Sequence, residues 1–149
     1  MSHITRIVSQ VKIKDLALLE KAARRCGLEL VRGKTRIKGY YGERQEDRCL
    51  HVLRIPAGQR AGAGSYADWE IGIVEGDEPG TFALAFDRWG GEHNALVRRV
   101  GDNGERLQAF YQAETIKKAA AGLGDTVTEK IMPDGSIQLE IDTTLRLGV

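Results

Sequence analysis

Lys34, Arg36 and Lys38 occupy every second position, and Tyr40 follows in the same phase. In an extended chain all four side chains leave one face. Ammonium and guanidinium groups on such a face could track a phosphate backbone while the ring stacks on a base. The same spacing also describes a solvated strand whose charges discourage edge pairing. A second stretch, Asp87-Arg88-Trp89-Gly90-Gly91-Glu92-His93-Asn94, gathers acids, a histidine and two glycines just beyond an apolar run. Asp87, Glu92 and His93 are the group types that transfer protons. The competing reading is a strand-to-helix turn with a capping side chain. The stretch matches neither a P-loop nor a dinucleotide fingerprint. Cys49 and His51, two apart, would point the same way on a strand, but a zinc site needs three or four convergent ligands. The expectation is a buried thiol beside a hydrogen-bonded histidine, with no metal. Ser65 and Ser136 have no nucleophile-elbow motif. No catalytic residue is assigned, and no cofactor is called for.

Between residues 57 and 67 the chain has no apolar period and carries Gly58, Gly62 and Gly64. A mobile surface loop is expected there. Arg60, Ser65, Tyr66 and the following Trp69 give the loop and its rim one charge and two amphipathic rings, the equipment of a protein-binding anchor. The alternative is a neutral insertion, since lengthening a surface loop costs little.

The elements that must position these residues follow from hydrophobic period. Residues 4–13 alternate as a first strand, Asp15 offers an N-cap, and a helix from Leu16 turns Leu16, Leu19, Ala22, Ala23 and Cys26 inward. Its Glu20, Lys21, Arg24 and Arg25 are expected in solvent. Strands follow at 28–32, 34–38 and 50–55, with 43–47 as a charged loop between the last two. Residues 69–73 and 82–86 read as a hairpin, and 95–100 as a short helix. In the long helix, Ala109, Ala113, Ile116, Ala120 and Leu123 make one apolar stripe beside Leu107 and Phe110. Gln108, Gln112, Glu114, Lys117 and Lys118 take the other side. A glycine stop then leads to strands at 127–131 and 137–141 around Met132-Pro133-Asp134-Gly135-Ser136. Helix and hairpin each have one apolar side, so they are expected to cover each other.

The fold class is therefore α+β: a mostly antiparallel sheet of up to seven strands, two main helices packed on one face, and a C-terminal β-hairpin. One domain over residues 1–149 is expected, and 42% hydrophobic content suffices for a core without staples. Basic residues number 22 against 21 acidic, so the net charge of +1 exerts no global pull on nucleic acid or anionic membrane. Two cysteines without CxxC spacing, polar residues among the first dozen, and no run approaching the ~18 apolar residues of a bilayer span point to a cytoplasmic protein with reduced thiols.

Several of these stretches together resemble a known family. They are Met1-Ser2-His3, the strand-helix start ending in Asp15-Leu16, Arg36-Ile37-Lys38-Gly39-Tyr40, and the block from 107 to 141. The family is the hypothetical chloroplast reading frame thirty-five family, whose bacterial and phage members are called domain of unknown function twelve-fifty-seven. The most specific part is Leu107-Gln108-Ala109-Phe110-Tyr111 with its glycine-ended helix and the Asp134-Gly135-Ser136-Ile137 hairpin. Trp89-Gly90 is similar to the family's aromatic-glycine step. The family carries no established activity or catalytic residues. Relatives are often encoded near ATPases of the AAA+ type, so the resemblance implies an accessory or adaptor protein with such an ATPase as partner. A nucleic-acid-binding module at Lys34, Arg36, Lys38 and Tyr40 and an enzyme at the 87–93 turn are the alternatives.

Overall fold

Alternating apolar residues in short runs, each closed by a glycine, proline or charged turn, make strands here, and two capped periodic stretches make the main helices. A computed structural model describes residues 3–7 and 11–143. In chain order it contains β1 (Ile4–Arg6), α1 (Leu16–Arg25), β2 (Glu29–Arg32), β3 (Arg36–Gly39), β4 (Gly42–Arg48), β5 (His51–Arg54) and β6 (Glu70–Glu75). These are followed by β7 (Phe82–Asp87), α2 (Ala95–Val100), α3 (Glu105–Gly122), β8 (Thr126–Ile131) and β9 (Ile137–Asp142). Five strands form one antiparallel sheet in the order β1-β7-β6-β5-β2. The fold is α+β, with α1 and α3 on one face of the sheet. Leu53, Ile71, Ile73, Leu84 and Phe86 of the sheet meet Leu19 and Ala22 of α1, Leu96 of α2 and Leu107 of α3 in one core. The expected strand at 4–13 is interrupted: β1 ends at Arg6, residues 8–10 lie outside the described residues, and Ile13 rejoins the sheet at Phe82.

The other face of the sheet is also covered, by the β3-β4 ribbon. Ile37, Cys49, Val52 and Ala85 form a second apolar cluster there. Approach is close at Gly72, where an added Cβ would stand 2.2 Å from Ile37 Cδ1. Residues 43–47, expected as a loop, form most of β4. Their charges do not oppose a strand, because β4 pairs with β3 through the backbone and keeps most of its side chains in water.

Asp15 caps α1 as expected, its Oδ1 accepting from the Leu18 amide at 3.1 Å. Arg25 departs from the expectation of a solvated side chain. Its guanidinium lies 4.1 Å over the Phe110 ring and donates two hydrogen bonds to the Glu129 carboxylate and one to Glu114. The inner surface of α3 also differs: Leu107, Gln108, Phe110, Tyr111, Ala113 and Ala120 are buried, Ile116 is half-buried, and Leu123 is 58% exposed. One stripe is too narrow a description, because α3 is gripped from two sides, by the sheet and by α1. The Tyr111 hydroxyl accepts from the main-chain amides of Lys14 (2.9 Å) and Asp15 (3.0 Å), tying α3 to the entry of α1.

The β8-β9 hairpin closes through a turn in which Asp134 Oδ1 accepts from the Ser136 amide at 2.9 Å. Val127, Glu129, Ile131, Ile137, Leu139 and Ile141 share one face, since Val127 pairs with Ile141 and Glu129 with Leu139. The expected mutual cover of helix and hairpin is only partial. Ile137 packs against the main core, but Ile131 and Ile141 are exposed. Much of the surface of α3 that could cover them is already committed to α1 and the sheet.

Candidate functional site

Two carboxylates of the main sheet pin the ribbon to it. Glu70, buried on β6, accepts from the Lys38 amide at 2.9 Å and from Lys34 Nζ at 2.5 Å. Asp87, buried at the end of β7, accepts from the Trp89 amide at 3.0 Å and from the Tyr40 amide at 3.4 Å. Outside them, Lys38 Nζ pairs with Asp68 at 2.6 Å and Lys34 Nζ with Glu43 at 2.6 Å. Burial alone would lower the Lys34 ammonium, but the hydrogen bonds to Glu43 and Glu70 outweigh it and hold the lysine above its ordinary pKa. The hydrogen bond from Lys38 holds the Asp68 carboxyl below its ordinary value. Of the three alternating bases, only Arg36 lacks a carboxylate partner among the described residues, and it stands across from Arg48.

The pinned turn presents rings. Tyr41 and Tyr40 meet edge-on at 5.0 Å between centroids, Tyr40 meets Trp69 edge-on at 6.2 Å, and Tyr66 stacks on Trp69 at 4.1 Å and 14°. Tyr66 then reaches Gly90, where an added Cβ would lie 3.1 Å from its Cε2. Trp69 is buried in the core, whereas Tyr40 and Tyr41 are each about half exposed, as is Trp89, which precedes Gly90 in the chain. The result is an aromatic ridge on a fixed base. It joins Tyr40 of one candidate set to Tyr66 and Trp69 of the other. Tyr41 was not singled out by spacing, although its direct neighbour was.

The loop at 57–67, expected to be mobile, is attached to the body at several points. Arg60 Nε donates to Ile55 O at 3.0 Å, the Ala95 amide donates to Ser65 O at 2.9 Å, and Ala63, Tyr66 and Ala67 pack on the core. Lack of period only meant that the loop lies against several elements in turn. Tyr66 adopts φ +64°, a left-handed conformation that costs a non-glycine residue roughly 1–3 kcal/mol. Stacking on Trp69 and the bond from the Trp69 amide to Tyr66 O (3.1 Å) offset it.

The 87–93 turn does not gather its titratable groups. Asp87 is buried against main-chain amides, while Glu92 and His93 face solvent. Asn94 organises the turn: its Nδ2 donates to Asp87 O (3.0 Å) and Trp89 O (2.9 Å), and its Oδ1 caps α2 at Leu96 (2.9 Å) and Val97 (3.3 Å). Cys49 donates to Lys34 O at 3.1 Å and His51 Nδ1 accepts from the Gly33 amide at 2.9 Å, the buried-thiol and bonded-histidine arrangement. Burial pushes the Cys49 thiol up to about 11 and, with Arg32, lowers the His51 imidazole. Among the described residues no three His, Cys, Asp or Glu side chains form a metal-binding group, and no helix is long and apolar enough to cross a membrane.

Comparison with family models, with curated proteins and with solved structures finds no match to this chain.

Proposed function

We propose that this protein is a non-enzymatic binding module that holds a protein partner on the aromatic ridge of Tyr41, Tyr40 and Tyr66. The supporting observation is the edge-to-face and stacked series anchored on buried Trp69. Rings held in this way are amphipathic and lose little freedom on binding, which is why tyrosine and tryptophan dominate binding hot spots. The rim is polar and of mixed sign, with the Lys38–Asp68 and Arg44–Glu46 ion pairs beside the rings. The family resemblance makes an AAA+ ATPase the first partner to seek, in a cytoplasmic setting with reduced thiols. The nucleic-acid reading ranks second, because Lys34 and Lys38 already have carboxylate partners and would have to exchange them for phosphates.

The test is a paired pull-down from the native host with mass spectrometry, using wild type and Tyr40→Ala/Tyr41→Ala. Both rings are about half exposed and outside the main core, so the variant stays folded with a modest fall in melting temperature. Its affinity for the partner falls by about thirtyfold or more, the loss of one hot spot. Equal recovery of the same partner by both proteins refutes the ridge. Micromolar binding of single-stranded RNA at about 50 mM salt, lost in the same variant, transfers the ridge to the nucleic-acid reading.

A further inference from the structure

The N-terminal segment meets β7 out of step beyond β1. The Ile7 amide donates to Leu84 O and the Phe82 amide to Ile13 O, both at 2.8 Å, so Ala83 alone separates on β7 two contacts that are five residues apart on the other side. Sides so unequal cannot pair residue for residue, and irregular edges of this kind often adjoin binding sites. A cleft of about 710 Å³ lies here, lined by Arg6, Ile7 and Val11, by Arg88 just beyond β7, and by Gln108 and Ala109 of α3. Its size falls in the roughly 300–1,000 Å³ range of small-molecule sites, as does its make-up of apolar surface with a few fixed polar groups. Gln108 is buried, and its Nε2 donates to Asn103 O at 3.1 Å. Arg88 is held by one nitrogen: Nη1 donates to Asn103 Oδ1 at 2.6 Å and to Asp102 O at 3.4 Å. Its Nε and Nη2 have no acceptor among the described residues. Those two N–H groups make the side-on fork that matches a carboxylate.

We propose that this cleft binds a small organic monoanion, a carboxylate on a short apolar body, with Arg88 as the fork and Ile7, Val11 and Ala109 around the body. Charge decides the class. Glu105 also borders the cleft, but both its oxygens are turned to main-chain amides, of Asp102 at 3.1 Å and Asn103 at 2.8 Å. Two arginines against this one glutamate leave room for a single negative charge. A phosphate monoester, with about 1.5 to 2 negative charges at neutral pH, exceeds it. A neighbouring cleft of about 450 Å³ shares Arg6, Ile7 and Val11 but not Arg88. There Asp77 and Glu78 hold Arg6 (3.0 Å) and Lys12 (3.1 Å) in ion pairs, which leaves no cation for an anion to claim.

The probe is hexanoate, titrated into the protein and followed by NMR of the Arg88 Nε–Hε group and of the Ile7 and Val11 methyl groups. All three sets of signals move together and give one Kd, while Arg36 and Arg48 stay in place. Hexanamide, the same shape without the charge, binds about tenfold more weakly, and so does hexanoate to Arg88→Lys, which keeps the charge and loses the fork. Ala109→Leu fills the cleft from a half-buried helix position without touching Arg88, and it removes binding while the fold is kept. Signals that stay still up to tens of millimolar hexanoate overturn the site. Equal affinity for hexanamide, or undiminished binding by Ala109→Leu, does the same. Hexyl phosphate binding more tightly than hexanoate overturns the assignment to a carboxylate. The outcome is independent of the ridge, since none of these probes or variants touches Tyr40, Tyr41 or Tyr66.

Discussion

Tyr111→Phe removes one oxygen atom and tests whether α3 holds the entry of α1 as the geometry requires. The hydroxyl accepts two main-chain hydrogen bonds, from Lys14 at 2.9 Å and Asp15 at 3.0 Å, and the side chain is 3% exposed. An amide donor left without an acceptor costs about 1–3 kcal/mol when buried. Both amides are only partly buried, so water can replace some of the loss, and the lower end applies to each. The sum is about 2 kcal/mol, a substantial part of the ~5–15 kcal/mol that stabilises an ordinary domain. At the size of this chain that corresponds to a fall in Tm of about 4–8 °C. Asp15 is also the N-cap of α1 and the partner of Lys118 at 3.0 Å, so freeing its amide loosens the first turn as well. Urea midpoints and calorimetry measure the total, and hydrogen exchange at Lys14 and Asp15 locates it. A variant within about 0.5 kcal/mol of wild type, the ordinary scatter of a neutral surface change, with both amides still protected, would falsify the tie.

Glu129 supplies a pH test: the Arg25 hydrogen bond, with Lys117 behind it, holds its carboxyl down to about 2 against the opposing effect of burial. Its folded pKa is depressed below the ordinary 4.5, so its stabilisation is complete above about pH 4.5 and is lost as pH falls toward 2. Urea midpoints of wild type and Glu129→Gln therefore differ most at neutral pH and converge near pH 2; a constant gap denies the linkage. Gly72→Ala puts a methyl group 2.2 Å from Ile37 Cδ1 and 3.3 Å from Cys49 Cβ, and should cost about 1–3 kcal/mol by overpacking. Ile37→Ala in the same chain should recover part of that loss, and strict additivity in a double-mutant cycle would count against the contact. Cys26 and Cys49 both have thiols raised by burial from an ordinary 9.0 to about 11. Native protein at pH 8 should react with a thiol reagent roughly a hundredfold more slowly than in urea, because the thiolate is the reacting form and burial depletes it by that factor. Comparable rates in the two conditions would place the thiols nearer the surface.

Local period was enough to read the α1 cap at Asp15, the β6-β7 hairpin, the turn around Asp134 and the α+β class. It failed wherever one element serves two neighbours. The helix α3 lies against both α1 and the sheet, so Gln108 and Tyr111 are buried although a single stripe leaves them out. Arg25 looks like a solvent residue on its own helix; Glu129, more than a hundred residues away, turns it inward. At the candidate site the spacing put Lys34, Arg36, Lys38 and Tyr40 in one set; Lys34 and the Lys38 and Tyr40 amides reach Glu70 and Asp87, which lie on distant strands that no local pattern connects to them. The attachments of the 57–67 loop were illegible for a related reason. They are single bonds to Ile55 and Ala95, and isolated contacts of that kind leave no period.

The ribbon also dictates an order of events in folding. β2 and β5 are neighbours in the sheet, with Arg32 opposite His51, yet the chain between them leaves to build β3 and β4 on the other face. Glu70, Gly72 and Asp87, the groups that receive the ribbon, all come later in the chain. The ribbon therefore gains its full set of contacts only once β6 and β7 are in place. Contacts made after the rate-limiting step set how fast a protein unfolds rather than how fast it folds. Truncating Ile37 should accordingly steepen escape from the native state and leave the refolding arm of a chevron nearly unmoved. During synthesis Ile37 meets Cys49 and Val52 first, and its cluster is completed only after Ala85 has followed them out of the ribosome.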